Sequence, residues 1–594
     1  MNPSGSAFHE YCVEGMKRFV QTAIVIDDEA FFAPAAYGEA EAPRTATRGQ
    51  GSVMAPLIPS IEGEAESPPA QGEVSNEPTD GGGSPLDAKA ITDAFHSIQV
   101  ICGLYKPSPE EDAAALATKA AQHADIVILD WFLDKRHHDS GKAKEVIRSI
   151  LTTDLAEHGR LRLIAIYTGE PGVAGIAKDV LDFLNTDPIL KGRFNLVQGR
   201  HVLFREDTRI CFLNKKSSAN GVSPDTVAEK DLPERLMREF AFVTEGVLST
   251  FAVNAIAAVR RASHHIVALF RKELDGAYAA HRCRLPEPED AKEFALELMS
   301  EELRNVIATA GITESCMGVE TLGIWIDHIS ADGLHFKNYR DGNTEYSPDG
   351  MKELLRTGYE KMPQGLPKLK PRDLEGLFFR TRADSGRRSL EFARLSNLKR
   401  EPEGRNRHPD KWAPTLTMGT ILKVLRVRPE TKENYELYGQ FTSDYLVCVQ
   451  PRCDSVRLEG ETSFPFQGAS LSNQGAGISQ KKFNLVVKDD PSEGTMLLVG
   501  WKPLDTVVIR FKPVHTGQSI HATRNGLTFE FEDTRCRKFL WLGDLKDMNV
   551  QRDASELARR IHTPGIDSNE WLRVASLDGK IDFEARYPEC TVAE

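Results

Sequence analysis

Along the chain, apolar residues gather in short, nearly continuous runs that alternate with helix-period segments. Residues 20–26, ending in Ile24-Val25-Ile26, read as a strand, 86–98 as a helix, 100–104 as a short strand and 109–123 as a helix. Residues 124–129 (ADIVIL) read as a strand, 141–157 as a helix, 161–167 (LRLIAIY) as a strand and 175–185 as a helix. Residues 193–197 and 201–213 suggest a hairpin or an extra strand leading into a last strand, RICFL. Strands alternating with helices predict βαβ units. Strands apolar on both faces predict a sheet covered on both faces. The expectation for residues 1–220 is an α/β doubly wound parallel sheet of five strands or slightly more.

This alternation emerges only when residues 34–85 are set aside. That stretch is rich in Pro, Gly, Ser and Glu and holds one aromatic, Tyr37. It has too little apolar surface to offset its ordering entropy and reads as a disordered insertion. From 232 the pattern turns helical for more than 40 residues, so 221–311 reads as a helical segment: a kinked pair, a stalk or a dimerisation surface. Residues 312–412 read as mixed α/β with a basic linker. Residues 413–594 read as a mostly β module, with strands at 417–424, 445–450, 483–487, 496–499, 506–511 and 527–531 and helices at 554–562 and 568–575.

Composition narrows the classes of function. A chain of 594 residues exceeds one hydrophobic core and suggests three or four units. A net charge of −13 disfavours a surface devoted to nucleic acid. The local exception is 367–411, with 13 Lys/Arg against 7 Asp/Glu, which could meet a phosphate backbone or form a solvated linker. No apolar run reaches the ~18–20 residues of a membrane span and the N-terminus lacks a signal-peptide core, so no membrane association and a cytoplasmic location are expected. Nine cysteines without a C-x-x-C pair argue against a disulfide scaffold or compact zinc site.

In an open parallel sheet, ligands meet the carboxyl ends of the strands. Those ends deliver Asp27-Asp28-Glu29, Asp130 followed by Trp131-Phe132, Thr168-Gly169 and Asn214-Lys215. Adjacent carboxylates repel and resist desolvation, so either a cation sits among them or the end of the strand is wet. Three carboxylates make a hard oxygen site for Mg²⁺, beside which one of them could attack a phosphoryl donor while Lys215 and Thr168 hold the transferring oxygens. Taken singly, each has a plainer reading: Asp130 as a turn former, Thr168-Gly169 as a turn, Lys215-Lys216 as a wet loop. Their order along successive strand ends favours a pocket.

The segments VIDDE, DIVILDWFL, YTG and FLNK resemble those of response-regulator receiver domains of two-component systems, over about residues 20–216. The resemblance implies a flavodoxin-like receiver with Asp130 as phosphoacceptor. It assigns Mg²⁺ to Asp27, Asp28, Asp130 and the Phe132 carbonyl, the switch hydroxyl to Thr168, the aromatic switch to Phe212 and the phosphate-binding lysine to Lys215. It implies phosphorylation by a partner histidine kinase or GHKL-type ATPase and control of a C-terminal output; the length of the helical segment, apart from the resemblance, allows a homodimer through it. The chain departs from the pattern in its insertion, in a long connection from Thr168 to Lys215, and in Lys216 where proline usually follows, which makes Lys216 a rival to Lys215. These departures look like those of divergent receivers found in bacterial conflict or defence loci.

The alternatives are a phosphorylation-independent pseudo-receiver scaffold and an effector whose C-terminal half is enzymatic or binds nucleic acid. Enzymatic activity beyond Mg²⁺-dependent self-phosphorylation stays open. Dehalogenase-type phosphohydrolases need Asp-x-Asp after the first strand, and Toprim nucleases Asp-x-Asp after the third; neither is present. G-x-G-x-x-G after the first strand and the P-loop are missing too. In the second half, Cys448 and Cys453 read as small core residues, Cys453-Asp454 as a less favoured reactive pair, and His328 and His335 as packing against a β turn or as metal ligands.

Overall fold

The computed structural model describes residues 6–562 except 32–85, 108–112, 134–138, 158, 198, 217–222, 286–287, 339–343, 362–368, 371–373, 403–411, 427–440, 442, 457, 472–483, 491–492, 502–504 and 514–517. The expected disordered insertion and the helix at 568–575 lie outside the described residues. The chain forms two compact units, Met1–His328 and Ile329–Glu594.

In the first unit, strands β1 (Thr22–Ile26), β2 (Ile101–Tyr105), β3 (Ile126–Leu129), β4 (Arg162–Thr168), β5 (Asn195–Leu196), β6 (Val202–Arg205), β7 (Thr208–Lys215) and β8 (Thr226–Val227) form one sheet. Its order is β2-β1-β3-β4-β7-β6-β5, with β8 also on β7. The strands from β2 to β7 in that order are parallel. The expected hairpin is a meander: β5, β6 and β7 pair antiparallel.

The period of two decides which helix each side chain meets. Val25, Ile128, Ala165 and Leu213 face a core shared with α1 (Ala7–Phe19), α2 (Ala88–Ser97), α6 (Leu232–Ala241) and α7 (Val247–Leu269). Ile24, Val127, Ile164 and Phe212 face the opposite core, closed by α3 (Ala113–Ala121), α4 (Gly141–Ala156) and α5 (Val173–Thr186). Helices on both faces leave only strand ends for polar chemistry. The sequence reading contains no helix at α1, although Phe8, Cys12, Met16 and Phe19 recur at helical spacing and Ser6 caps it by accepting from His9 N at 3.0 Å. α1 lies close on α7: a Cβ at Gly15 would stand 2.8 Å from Asn254 Nδ2.

The base of the insertion is clamped. Phe31 N donates to Leu86 O at 3.1 Å and Ala88 N to Phe31 O at 2.9 Å, so the chain leaves and re-enters at paired positions. The entropy of closing a long loop grows only slowly with its length, and the sheet continues undisturbed from β1 to α2.

The long helical run breaks at the 3₁₀ turn Phe242–Thr244 between α6 and α7, and continues as α8 (Asp275–Arg284), α9 (Ala291–Thr309), α10 (Ile312–Met317) and α11 (Val319–Ala331). Residues of α6 and α7 belong to the core under the sheet.

The second unit opens with the hairpin of β9 (Phe336–Lys337) and β10 (Glu345–Tyr346), then α12 (Pro348–Thr357) and α13 (Arg382–Asn397). Its sheet comprises β11 (Leu398–Arg400), β12 (Thr420–Leu425), β13 (Tyr445–Cys448), β14 (Thr462–Leu471), β15 (Leu485–Asp490), β16 (Glu493–Val499), β17 (Thr506–Phe511), β18 (Thr523–Asn525), β19 (Thr528–Glu532) and β20 (Lys538–Leu545), and is antiparallel throughout its described pairings. Alternate residues feed two cores: Leu422, Leu446 and Phe466 one, Ile421, Val447 and Ala469 the other, which α14 (Asp547–His562) joins through Val550 and Leu557. β14 and β20, among the longest strands, are missing from the sequence reading because Pro465 with Gly468 and Gly543 interrupt their patterns. At Gly543 (φ +144°) a Cβ would meet Arg400 O at 2.6 Å, so backbone approach requires glycine there.

A buried ion pair holds the amino end of the first sheet. Arg162, fully buried at the start of β4, pairs with Asp154 of α4 (Nη2 to Oδ1 2.8 Å) and donates through Nη1 to the carbonyls of Ala121 and Ala124 at 2.7 and 2.9 Å. Removing one partner strands the other charge. Asp154→Ala is expected to destabilise the first unit by ~3–5 kcal/mol in urea unfolding, while Asp154→Leu with Arg162→Met recovers most of that loss. Equal destabilisation by the single and double variants would contradict this account.

Candidate functional site

Three buried charges meet at the carboxyl edge of the first sheet. Asp27 follows β1, Asp130 follows β3, and Lys215 ends β7, two strands away from β3 across β4. The lysine stem spans the end of β4 and puts Nζ 2.8 Å from Asp27 Oδ2 and 2.9 Å from Asp130 Oδ1. The three residues are only 2, 5 and 4 % exposed (Asp27, Asp130, Lys215). Lys216 is exposed, because successive residues leave a strand on opposite sides; Lys215 therefore occupies the pocket.

The remaining carboxylate oxygens are held by the turns that end the strands. Asp27 Oδ1 accepts from Glu29 N at 2.8 Å and Asp130 Oδ2 from Phe132 N at 3.0 Å. Each aspartate thus caps its own turn and faces the lysine at once, so the turn-former reading and the pocket reading both apply. Asp28 is half-buried beside Asp27. Thr168, the buried last residue of β4, accepts through Oγ1 from Glu170 N at 3.2 Å. Asn214, a pocket-edge residue given no role in the sequence reading, ties β7 to the β4 turn by donating from Nδ2 to Glu170 O at 2.5 Å. Its only sequence signal is its position directly before Lys215. Phe212 is fully buried in the core facing α3, α4 and α5.

Burial pushes the Asp130 carboxyl up to about 6; the nearby Lys215 ammonium opposes this shift, and the Asp27 carboxylate adds to it. Burial also works against the charge on Lys215, but the two carboxylates outweigh it and raise its pKa, keeping it an ammonium. Two carboxylates against one ammonium leave the cluster one negative charge in excess, and Asp28 adds another. Asp27, Asp28, Asp130 and the Phe132 carbonyl offer only hard oxygen donors, which suits Mg²⁺. Among the described residues no three His, Cys, Asp or Glu side chains are arranged to hold a metal; Lys215 takes the space between two of the candidates.

The other candidates have local partners of their own or stand exposed. Cys448 is buried, as its apolar strand suggests, but Cys453 is exposed on the short helical turn Arg452–Ser455, which overturns the expectation of a core residue. Its Sγ donates to Asp454 Oδ1 at 3.4 Å. His328 lies on helix α11, not against a β turn, and its Nδ1 hydrogen-bonds Ser6 Oγ at 2.8 Å; His335 is exposed and pairs with Glu345 at 2.8 Å. In the basic stretch, Arg387, Arg388 and Arg394 pair with Asp384, Glu391 and Glu401, as on a solvated helix. Among the described residues no helix is long and apolar enough to cross a membrane.

The first unit is an α/β domain whose parallel strands carry two aspartates and a lysine at their carboxyl edge. Residues 19–220 match the family model of the response receiver domain, so the N-terminal part of the chain is a receiver domain of that family. No curated protein and no solved structure matches the chain.

The ionic balance of the pocket is measurable. The folded protein keeps Asp130 protonated up to pH about 6, whereas an unfolded aspartate ionises near ~3.9, so the stabilising contribution of the neutral form is complete below ~3.9 and is lost as pH rises through about 6. Carboxyl NMR of metal-free protein should place Asp130 near 6, lower in Asp27→Asn and higher in Lys215→Met. A titration near ~4, insensitive to both variants, would refute the described electrostatics.

Proposed function

We propose that the receiver domain is a working phosphoacceptor that controls a C-terminal output. The observation that carries this reading is the bridge from Lys215 to both Asp27 and Asp130, which places a cation beside the carboxylate that would become phosphorylated. In the proposed step an Asp130 oxygen attacks the phosphorus of a phosphohistidine on a partner histidine kinase or GHKL-type ATPase. The P–N bond breaks as the O–P bond forms, and the histidine leaves with the P–N electron pair. Mg²⁺, when bound by Asp27, Asp28, Asp130 and the Phe132 carbonyl, would neutralise charge on the transferring oxygens. Lys215 holds a phosphoryl oxygen, and Thr168 exchanges its bond from Glu170 N for one to the phosphoryl group.

The strand order β2-β1-β3-β4-β7 supports the flavodoxin-like form of the fold. Exposed Leu248, Ile256, Val267, Phe270, Phe294 and Leu296 on or beside α7 and α9 support a homodimer through the helical segment. We place the protein in the cytoplasm, where a kinase partner and Mg²⁺ are available, and in a bacterial conflict or defence setting on the strength of the long insertion after Phe31.

A second reading, a pseudo-receiver scaffold, draws on the burial of Phe212 and the capped Thr168 hydroxyl, neither of which is poised to move. Acetyl phosphate with Mg²⁺ separates the two. The working receiver takes up one acid-stable, hydroxylamine-labile phosphoryl group, Asp130→Asn takes up none, and Mg²⁺ alters the fluorescence of Trp131 beside the pocket. Equal labelling of wild type and Asp130→Asn, or no labelling of either, would rule out the phosphoacceptor.

A further inference from the structure

Behind the strand that ends in Lys215 lies a second cleft, of ≈ 540 Å³, between the β6–β7 hairpin, the segment before β8, and α6. It is lined by Arg200, His201, Asp225, Arg235, Glu239 and Phe242, with apolar wall from β6 and β7. Its carboxylate Glu239 is already used: Oε2 accepts from Arg209 Nε and Nη2 at 2.9 and 2.6 Å, and Oε1 pairs with Arg235 Nη2 at 3.0 Å. Asp225 stands 3.9 Å from His201 Nδ1 and 4.0 Å from Arg235 Nη2, outside hydrogen-bonding range. Two side-chain nitrogens of the cleft, His201 Nδ1 and Arg235 Nε, are shielded from water and lack a hydrogen bond among the described residues.

Both orphaned atoms are nitrogens. An arginine Nε can only donate, and a buried donor without an acceptor costs ~1–3 kcal/mol, so the cleft favours a group that brings an acceptor into it. Arg200, whose guanidinium lies 4.6 Å from the Phe242 ring centre, adds a cation along one wall. Arginine forks and an imidazole suit a phosphate oxyanion. The volume, within the ~300–1,000 Å³ of small-molecule sites, exceeds what inorganic phosphate fills and leaves room for an organic body against the apolar wall of β6 and β7.

We propose that this cleft is a binding site for a small organic phosphate, separate from the phosphoacceptor pocket. Arg235 and His201 grip the phosphate, Arg200 balances its charge, and the organic part packs on the wall formed by Val202 and Leu213. The cleft communicates with the receiver edge through the backbone: Asn214 N donates to Asp225 O at 2.8 Å, one residue before Lys215.

Phenyl phosphate serves as the probe, titrated calorimetrically into the full chain carrying Asp130→Asn, so that phosphoryl chemistry contributes no heat. Saturable 1:1 binding is expected, tighter than for inorganic phosphate, weakened at least ~tenfold by Arg200→Gln and by Arg235→Gln, and unchanged by Lys215→Met. Arg200→Gln tests the site should Arg235→Gln disturb the pair with Glu239; unchanged melting temperature qualifies each variant. The proposal is overturned by the absence of saturable binding, or by binding that survives both arginine variants and vanishes with Lys215→Met, which would place the anion in the receiver pocket.

Discussion

The first unit is organised around one buried ammonium held between two buried carboxylates. A lysine at the end of β7 reaches the aspartates after β1 and β3 across the end of β4, so the pocket rests on the strand order. The same three charges set the chemistry. One cation cannot neutralise two anions, and the excess negative charge falls on Asp130, whose carboxyl is pushed toward neutrality by burial.

Charge is treated differently at the opposite end of the sheet. There Arg162 and Asp154 match one to one, and the arginine's further donors go to backbone carbonyls. Glu239, shared by Arg209 and Arg235, ties β7 to α6. These satisfied pairs fix helices to strands, whereas the carboxyl edge keeps an imbalance. Rigidity at one end and unspent charge at the other is a physical division between scaffold and site.

Much of the receiver was legible because its signals are local. Apolar runs ending in Asp27, Asp130, Thr168 and Lys215 need no long-range information, since period and burial follow from neighbours on the chain. The choice between Lys215 and Lys216 was not legible: it depends on which side of β7 faces the pocket. α1 was legible and overlooked, its helical spacing lying outside the alternation that drew attention. β14 and β20 were hidden, since Pro465 and Gly543 weaken the local strand pattern while their neighbouring strands supply the pairing.

The sequence by itself determined that the N-terminal third is an α/β domain built on parallel strands and that carboxylates, a hydroxyl and a lysine stand at its strand ends, because hydrophobic periodicity and the residue after each strand are local properties. Only the tertiary structure decided that one lysine bridges two aspartates more than 80 residues away, that the insertion springs from a clamped base at Phe31 and Leu86, and that His201 Nδ1 and Arg235 Nε, without a hydrogen bond among the described residues, meet in a cleft behind β7. Those features depend on strand order and on the direction in which each side chain leaves its strand, and neither is encoded in any short window of residues.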